Sequence, residues 1–276
     1  MKLTKRIIPL LISALLLSSC TKSDEPAAPV TTTAPAETTA VTTTQPAETT
    51  TEETKPAVPE GHAYAEFTSG MPDGWECADG WCNGSMFNVT WRKKNITFED
   101  GKMLLKIDHD AVPKDGVPYS GGEFRSRQFY GYGRYEVSMK AIKNDGVVSS
   151  FFTYTGPSDN NPWDEIDVEI LGKDTTMVQF NYFTNGQGGH EYMHSLGFDA
   201  SEDFHTYAFE WYEDKIIWYV DGTEVHRAEE NIPVTESKIM MNTWCGKGVD
   251  GWLNAFDDSK LPLTAEYEWI RFTPFN

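Results

Sequence analysis

Residues 163–169 read Trp-Asp-Glu-Ile-Asp-Val-Glu and place three carboxyl groups at strict two-residue spacing. Because side chains alternate between the two faces of a β-strand, Glu165, Asp167 and Glu169 should share one face with Trp163. The aliphatic residues between them should point into a core. Like charges aligned on one face repel, so this pattern is more typical of chemistry that needs one ionised and one protonated carboxyl than of a structural role.

Such a pair of carboxyls is the machinery of glycoside hydrolysis, in which one group attacks or guides water and the other protonates the leaving oxygen. Retaining enzymes hold the two groups about 5–5.5 Å apart. On an extended strand the Cα atoms of Glu165 and Glu169 are roughly 13 Å apart, so the sheet must curve if both side chains are to reach one sugar. We expect Asp167 to hydrogen-bond one glutamate, and its charge together with that of Glu165 to raise the pKa of Glu169.

Two other interpretations of the acidic strand stay open at this point, namely a calcium cluster and a solvated strand face. A separate motif, at residues 190–194, reads His-Glu-Tyr-Met-His and matches the H-E-x-x-H signature of zinc proteases. That signature requires a helix, which places both histidines on one face. Glycines closely precede and follow the motif, so a loop or a short strand is predicted there instead.

The elements that must position these residues are short strand-like runs separated by Gly, Asn and Pro. Asp100-Gly101 and Asp221-Gly222 each lie between two such runs, which is a strong hairpin signal. No long stretch has apolar residues at helical spacing. The pattern predicts one all-β domain over residues 61–276, a jelly-roll sandwich of two curved antiparallel sheets with a concave face that suits a linear polymer. The predicted strands are 87–91, 102–107, 124–129, 135–140, 147–154, 163–170, 176–183, 206–211, 215–220, 238–243 and 265–272.

The first sixty residues do not have the composition of a globular domain. A positive start and an apolar run over residues 7–17 predict a signal peptide, and Cys20 falls where a bacterial lipobox would be lipidated. An ordinary secretory signal with an incidental cysteine is the alternative. Residues 21–60 are rich in Thr, Pro, Ala and Glu and predict an extended tether, since they cannot bury enough apolar surface to fold. The chain is therefore expected to be an extracellular, cell-surface lipoprotein with a signal peptide over residues 1–20 and a lipid anchor at Cys20 as its only attachment to the bacterial membrane.

The net charge of −19 argues against nucleic acid or an anionic polymer as the ligand, whereas the many Trp and Tyr residues suit a neutral polysaccharide. Cys77 and Cys82 could close a small disulfide loop outside the cell or remain two free thiols, with a bridge expected. Cys245 would then be unpaired. No C-x-x-C pair occurs, so a zinc–cysteine site is not expected.

Several segments beside the acidic strand share one resemblance. They are Ile170-Leu171-Gly172-Lys173-Asp174, Val178-Gln179-Phe180-Asn181-Tyr182, Leu196-Gly197-Phe198-Asp199-Ala200, His205-Thr206-Tyr207-Ala208-Phe209, Tyr219-Val220-Asp221-Gly222 and Ile239-Met240-Met241-Asn242. In that order they resemble the bacterial licheninases, the endo-β-1,3-1,4-glucanases of glycoside hydrolase family 16. The resemblance covers nearly all of residues 61–276 and agrees with the predicted jelly roll.

The resemblance implies endo-hydrolysis, with retention, of a β-1,4 bond next to a 3-O-substituted glucose in lichenan or cereal β-glucan. It makes Glu165 the nucleophile and Glu169 the general acid/base, with Asp167 assisting between them. The uninterrupted E-x-D-x-E spacing matters, because relatives that cut pure β-1,3-glucan usually carry an extra residue that bulges the strand. No cofactor is expected for catalysis, and the protein is expected to be a monomer.

Substrate-binding positions also follow from the resemblance. Trp163 and Trp244 are expected to stack on sugar rings, with a place in the sandwich core as the alternative for each. The expected hydrogen-bonding partners for sugar hydroxyls are Asn83, Glu123, Arg125, Tyr154, Asn181 and Asn242. For Glu123 and Arg125, which should share a strand face, a plain ion pair is the alternative.

The chain also departs from the family pattern. A disulfide common in the family is absent, because Val89 and Gly121-Gly122 stand at its two ends. Phe183 stands where a tyrosine is common. Gly101 and Glu268 match the position of a structural calcium site, with glutamate in place of the usual aspartate.

Three further functions remain open on the same fold. They are a surface glucan-binding protein without catalysis, a transglycosylase and a β-1,3-glucanase.

Overall fold

The computed structural model describes residues 61–275, which form sixteen β-strands and very little helix. In chain order the strands are β1 (Ala63–Glu66), β2 (Trp75–Cys77), β3 (Val89–Trp91), β4 (Ile96–Glu99), β5 (Lys102–Lys114), β6 (Val117–Ser126), β7 (Gly133–Lys140), β8 (Val147–Thr155), β9 (Asp164–Leu171), β10 (Met177–Phe183), β11 (Tyr192–Ser195), β12 (His205–Trp211), β13 (Ile216–Val220), β14 (Thr223–Ala228), β15 (Lys238–Cys245) and β16 (Leu263–Pro274).

The helical elements of this region are short. They are the α-helix α1 (Asp250–Leu253) and the 3-10 turns Lys93–Asn95, Pro157–Asp159 and Asp258–Lys260. No helix within residues 61–275 has the length and apolar character needed to cross a membrane. The predicted signal peptide, the lipidation site at Cys20 and the predicted tether lie outside the described residues.

The strands form one hydrogen-bonded path in the order β11-β10-β9-β8-β15-β6-β5-β16-β7-β12-β13-β14. The β5–β6 hairpin divides this path into two layers, a front sheet from β11 to β6 and a back sheet from β5 to β14. The remaining strands join as extra partners: β2 and β3 pair with β6, β1 with β16 and β4 with β5. Apart from the parallel β3–β6 pair, the strand pairs of the described region are antiparallel. The predicted all-β jelly-roll sandwich is confirmed.

The strand path curves until its two ends meet. Tyr192 lies on β11 and His226 on β14, the two terminal strands of the path, and their rings stack with centroids 3.8 Å apart. A flat sheet of this many strands could not bring its edges together, so the path is strongly curved across its strands.

The core fills the space between the two sheets. On β9, Ile166, Val168 and Ile170 are at most 1% exposed, which confirms the predicted alternation of this strand. Large aromatic side chains from both layers pack in the same core, such as Phe151 on β8 and Phe209 on β12, whose ring centroids are 5.7 Å apart. Burial of aromatic and branched side chains of this size is the main favourable term that holds such a sandwich together.

Two buried polar contacts cross from the back sheet to the main chain of the front sheet. The Tyr267 hydroxyl donates to the Ser150 carbonyl oxygen at 3.0 Å, and the Trp218 indole N–H donates to the Asp167 carbonyl oxygen at 3.2 Å. Ser150 belongs to β8 and Asp167 to β9, so the two contacts fix the position of the acidic strand and of its neighbour.

The two Asp-Gly sequences form the predicted hairpin turns, between β4 and β5 and between β13 and β14. Asp100 and Gly101 have φ angles of 50° and 78°, and Asp221 and Gly222 have φ angles of 47° and 76°. Positive φ at both central residues is the geometry that favours Asp-Gly in tight hairpins.

The predicted disulfide between Cys77 and Cys82 is wrong, because both are free thiols in the structure, as is the buried Cys245. The loop between the two cysteines is held by main-chain hydrogen bonds instead. The amide of Gly80 donates to the carbonyl oxygen of Trp91, whose own amide donates back to the loop, at 2.9 and 2.8 Å. This pairing supplies the local constraint that a bridge was expected to provide.

Candidate active site

A cleft of about 880 Å³ lies across the outer face of the front sheet. All the residues that the sequence singles out for catalysis or substrate binding line it, namely Asn83, Glu123, Arg125, Tyr154, Trp163, Glu165, Asp167, Glu169, Asn181, Asn242 and Trp244. The two predicted calcium-site residues lie elsewhere, Gly101 in the β4–β5 turn and Glu268 on β16 of the back sheet.

The acidic face belongs to β9, which lies between β8 and β10. The pairing with both neighbours keeps one register along the strand, so β9 carries no bulge. Each acidic residue therefore has one partner on either side: Tyr154 and Phe183 flank Glu165, Phe152 and Asn181 flank Asp167, and Ser150 and Gln179 flank Glu169.

Glu165 is the carboxyl with the most donors around it. The Trp163 indole N–H donates to its Oε2 atom, and the carboxyl of Asp167 donates a second hydrogen bond. Burial raises the pKa of Glu165 to about 7, the two hydrogen bonds oppose that rise, and the charge of Glu123 adds to it. Because both donors favour the ionised form, Glu165 is the member of the trio best suited to carry the negative charge.

Asp167 is only 5% exposed, and its pKa lies well above the ordinary range. Burial is the main cause, followed by the charges of Glu165 and Glu169 and by the hydrogen bond to Glu165. As predicted, Asp167 hydrogen-bonds a glutamate, namely Glu165. The raised pKa of Asp167 favours its neutral form over the negative charge that the sequence suggested, and a protonated Asp167 is a donor to Glu165.

Glu169 accepts a 2.7 Å hydrogen bond at Oε2 from the Nε2 amide of Gln179. Burial raises the pKa of Glu169 to about 7, this hydrogen bond opposes the rise, and the charges of Glu165 and Glu191 add to it. A carboxyl with a pKa near neutrality can both give and take a proton at working pH, which is what a general acid/base needs.

The trio thus combines an anion held by two donors, a neutral spacer and a carboxyl that titrates near neutral pH. Two chemically equivalent glutamates with different hydrogen-bonding environments are the arrangement by which glycosidases separate a nucleophile from a proton donor. The geometry therefore favours glycoside hydrolysis over the calcium-cluster and solvated-face interpretations.

Polar side chains on neighbouring strands extend the site. Glu123, only 3% exposed, accepts a 3.3 Å hydrogen bond from the Asn242 amide, and burial raises the pKa of Glu123 to about 7. Asn242 in turn accepts from the Ser150 hydroxyl at 2.7 Å. Asn181 is 5% exposed, and its Oδ1 atom has no hydrogen-bond partner among residues 61–275. A buried acceptor without a partner in a cleft is suited to a ligand hydroxyl.

Arg125 does not form the ion pair with Glu123 that was the alternative interpretation. Its Nε atom donates to Glu76 Oε1 at 2.8 Å, and its guanidinium lies 5.1 Å from the centroid of the Trp81 ring. Arg125 and Trp81 together form one wall of the cleft.

The two tryptophans predicted to stack on sugars have different surroundings. Trp163 stacks on Phe183 at 4.6 Å with an interplanar angle of 14°, at the edge of the cleft. Trp244 is only 3% exposed and packs against Phe87 and Trp252, with centroid distances of 4.2 and 6.0 Å. Trp244 therefore offers the cleft little more than a ring edge.

Asn83 lies at the border of the cleft. Its side-chain oxygen accepts a 2.9 Å hydrogen bond from the Trp91 indole. That contact fixes the amide, so its nitrogen is the group that remains to be offered to a ligand.

Sequence reasoning did not single out several residues of this cleft, among them Ser150, Phe152, Gln179 and Trp252. Gln179 could have been predicted to line the cleft, because it stands two residues before Asn181 and so shares its strand face. Trp252 could not, since its place in the cleft depends on how a distant turn folds back.

The H-E-x-x-H motif does not form a zinc site. Residues 192–195 are strand β11, so the two histidines are not on one face of a helix. His190 stacks on Tyr182 at 3.9 Å, and the described region contains no group of three metal-binding His, Cys, Asp or Glu side chains. Glu191 from this motif instead lines the cleft.

The donors around the predicted calcium site are mostly occupied within the protein. Glu268 stands at an irregularity of β16, and its carboxylate accepts a 2.7 Å hydrogen bond from Ser138. The neighbouring carboxylate of Glu266 is bound by Lys102 at 2.6 Å. Since calcium takes about six to eight oxygen ligands, these residues fit it only as a site built mainly from backbone carbonyls. Calcium binding stays a prediction.

Comparison with known proteins supports the geometry. The sequence model of the glycosyl hydrolases family 16 matches residues 83–271. A beta-glucanase of Acetivibrio thermocellus is 60% identical over 200 residues, which make up 72% of this chain and 59% of that protein. A beta-glucanase of Bacillus subtilis is 56% identical over 200 residues, covering 72% of this chain and 81% of the relative. The chain thus spans less than two thirds of the Acetivibrio protein but most of the Bacillus one.

Solved structures of beta-glucanases have the same fold as this chain. A prokaryotic beta-1,3-1,4-glucanase (lichenase) from a mouse hindgut metagenome superposes with a TM-score of 0.75 at 54% identity, covering 78% of this chain and 99% of that one. Bacillus licheniformis beta-glucanase superposes with a TM-score of 0.73 at 52% identity and the same coverage.

The raised carboxyl pKa values make stability depend on pH. The pKa of Glu169 is about 7 in the folded protein against an ordinary 4.5, so between these values the folded state holds a proton that the unfolded state has released. The contribution of Glu169 to wild-type stability therefore falls as pH rises through that window. We expect Glu169→Gln to raise Tm at pH 8. This gain in Tm should shrink as the pH is lowered below about 7 and should disappear near pH 4.5.

Thermal unfolding followed by circular dichroism from pH 4 to 8.5 checks this expectation. Glu99→Gln, at an exposed carboxyl on β4, is the matched control. The difference in Tm between this variant and wild type should be the same at every pH. A Glu169→Gln difference that is also flat with pH would contradict the assignment.

Proposed function

The chain belongs to glycosyl hydrolase family 16, and from this premise we propose that it is a retaining endo-glucanase that cuts β-1,4 bonds next to 3-O-substituted glucose in mixed-linkage β-1,3-1,4-glucan. The single observation that supports this function most strongly is the β9 face, where Glu165 and Glu169 line one cleft but differ in their donors: Trp163 and Asp167 donate to Glu165, and Gln179 donates to Glu169. The beta-glucanase and lichenase names of similar proteins agree with it.

In the first step, Glu165 attacks the anomeric carbon while Glu169 protonates the departing glycosidic oxygen. The Trp163 N–H and the Asp167 O–H hold Glu165 ionised and orient it. As the bond to the sugar forms, Glu165 loses its charge, and the electrostatic contribution that Glu165 makes to the raised pKa of Glu169 disappears. The Glu169 proton therefore becomes easier to release as the leaving group needs it.

In the second step, Glu169 is ionised and takes a proton from a water molecule that attacks the glycosyl-enzyme bond. Its pKa then rises again as Glu165 regains its charge, so the group is ready for the next cycle. Two displacements at the same carbon return the original configuration.

The regular pairing of β9 supports the choice of mixed-linkage glucan. The strand keeps one register with both neighbours from Glu165 to Glu169, so it lacks the inserted residue expected of enzymes for pure β-1,3-glucan. The cleft also runs open across the sheet, which is compatible with cutting inside a polymer. A neutral polysaccharide suits a protein with a net charge of −19.

We also propose that the enzyme acts as a monomer at the cell surface, held through a lipid on Cys20 and the spacer of residues 21–60. The apolar leader followed by Cys20 supports this. Labelled fatty acid should enter the wild-type protein in a bacterial host and fail to enter Cys20→Ala.

The substrate assignment is tested by the products of hydrolysis. Purified protein incubated with barley β-glucan should release oligosaccharides whose reducing glucose is substituted at O3, because the cut bond follows such a glucose. Laminarin and carboxymethyl cellulose should release few reducing ends under the same conditions. Linkage analysis of the products by mass spectrometry and NMR gives the readout.

Each other outcome identifies one of the alternatives. Faster cleavage of laminarin would indicate a β-1,3-glucanase, and elongated products with an added acceptor would indicate a transglycosylase. Binding to β-glucan with no release of reducing ends from any of these polymers would indicate a non-catalytic binding protein.

The nucleophile is tested by chemical rescue. Glu165→Ala should abolish hydrolysis, and azide should restore turnover of an activated aryl glycoside by attacking from the vacated side, which gives the inverted α-glycosyl azide. Glu169→Ala is the matched control, because its glycosyl-enzyme still forms and azide should then give the retained β product. Retained product from Glu165→Ala would rule out Glu165 as the nucleophile.

A further inference from the structure

A chain of two hydrogen bonds reaches Glu169 from a part of the protein remote in sequence. The indole N–H of Trp252, in α1, donates to Gln179 Oε1 at 3.1 Å, and Gln179 Nε2 donates to Glu169 Oε2 at 2.7 Å. Resting on the function proposed above, we propose that Trp252 is a positioning residue for the general acid/base, which it controls by fixing the direction of the Gln179 amide.

The chemistry of the three groups allows only this arrangement. An indole N–H can donate but cannot accept, so the oxygen of the Gln179 amide must face Trp252. The nitrogen at the other end of the amide must then face Glu169. Gln179 is only 5% exposed, so bulk water has little access to compete for either end. If Trp252 lost its N–H, the amide could turn over and present its oxygen to Glu169.

The turn that carries Trp252 is firmly attached to the body of the protein. Within it, Leu253 is 1% exposed, and its carbonyl oxygen accepts a 2.7 Å hydrogen bond from the amide of Gly146. Gly146 has a φ of 77°, and a Cβ atom at this position would lie 2.3 Å from the Cα of Phe256. Only glycine permits this close approach, so the loop before β8 and the turn form one unit that holds the indole in place.

The surroundings of Glu169 show why a donor is needed there. The titratable groups that act on it are acidic, namely Glu165 and Asp167 on the same strand and Glu191 before β11. Burial and the ionised members of this set favour the protonated form of Glu169. The Gln179 N–H is the contact that favours the ionised form.

The positive charges of the cleft do not replace that donor. Arg125 is paired with Glu76 at 2.8 Å, and Lys238 is paired with Asp159 at 2.7 Å. Without a correctly directed amide, Glu169 would hold its proton too tightly to serve as the base of the second step. With the amide reversed, the oxygen of Gln179 would accept from protonated Glu169 and strengthen that effect.

The proposal is tested by titrating Glu169 directly in the full protein. Glutamate labelled with 13C at the carboxyl allows its pKa to be followed by NMR, with the signal assigned by its absence in Glu169→Gln. Trp252→Phe, which keeps an aromatic ring but removes the N–H, should raise the pKa of Glu169 by roughly half to one unit. Gln179→Leu should raise it at least as much.

The double variant decides whether Trp252 acts through Gln179. In the Gln179→Leu background, Trp252→Phe should cause no further shift, because the group through which it acts is gone. Trp269→Phe, on β16 of the back sheet, is the matched control for replacing an indole and should leave the pKa unchanged. An unchanged pKa in Trp252→Phe, or a shift that adds in full to that of Gln179→Leu, would overturn the proposal.

Kinetics provide the functional readout. In Trp252→Phe, the basic limb of the kcat/KM profile on mixed-linkage glucan should move to higher pH, following the pKa of the acid. If Trp252 only lined the cleft, its replacement would change KM but would leave the basic limb of the kcat/KM profile and the pKa of Glu169 unchanged. The NMR titration needs no turnover, so it judges the positioning role of Trp252 even in an inactive protein. A wild-type protein that is inactive on every β-glucan would refute only the proposed function.

Discussion

Burial of three carboxyl groups in a row on one strand is the constraint on which this site depends. Removing them from water raises all three pKa values, so the trio cannot carry three charges near neutral pH. Neighbouring donors then decide which member is ionised. Two of them point at Glu165, one amide points at Glu169, and Asp167 keeps its own proton to serve as a donor. The division of roles thus comes from hydrogen bonds rather than from residue type.

That division requires a backbone that does not yield to the repulsion. The front sheet supplies it by pairing β9 on both sides, and the back sheet supports it through the buried Trp218 and Tyr267 side chains, which bond main-chain carbonyls of β9 and β8. The unbroken two-residue alternation of β9 places Glu165 and Glu169 on the same face, so both side chains line one cleft. Fold and chemistry are therefore connected through β9 itself.

The sequence predicted the features of this site that depend on strand alternation and on turn residues. The period of two placed the acidic face, and the Asp-Gly turns placed two hairpins. The signals failed where a residue's state depends on distant partners: Cys77 and Cys82 gain their constraint from strand pairing, and burial under the other strands neutralises Asp167. The contact between Gln179 and Trp252 joins residues far apart in the chain, and no spacing rule points to it.

Substrate binding should strengthen the electrostatic interactions among the carboxyls of the site. A sugar in the cleft displaces water, and a drier surrounding strengthens every charge–charge and hydrogen-bond interaction among the carboxyls. Protonated Glu169 is then favoured further, which suits the first step of the proposed mechanism and opposes the second. Because the amide of Gln179 is buried and fixed in direction, its N–H gains strength in the same drier environment and offsets part of that preference. A donor fixed within the protein can balance both steps, whereas a mobile water displaced by the substrate could not.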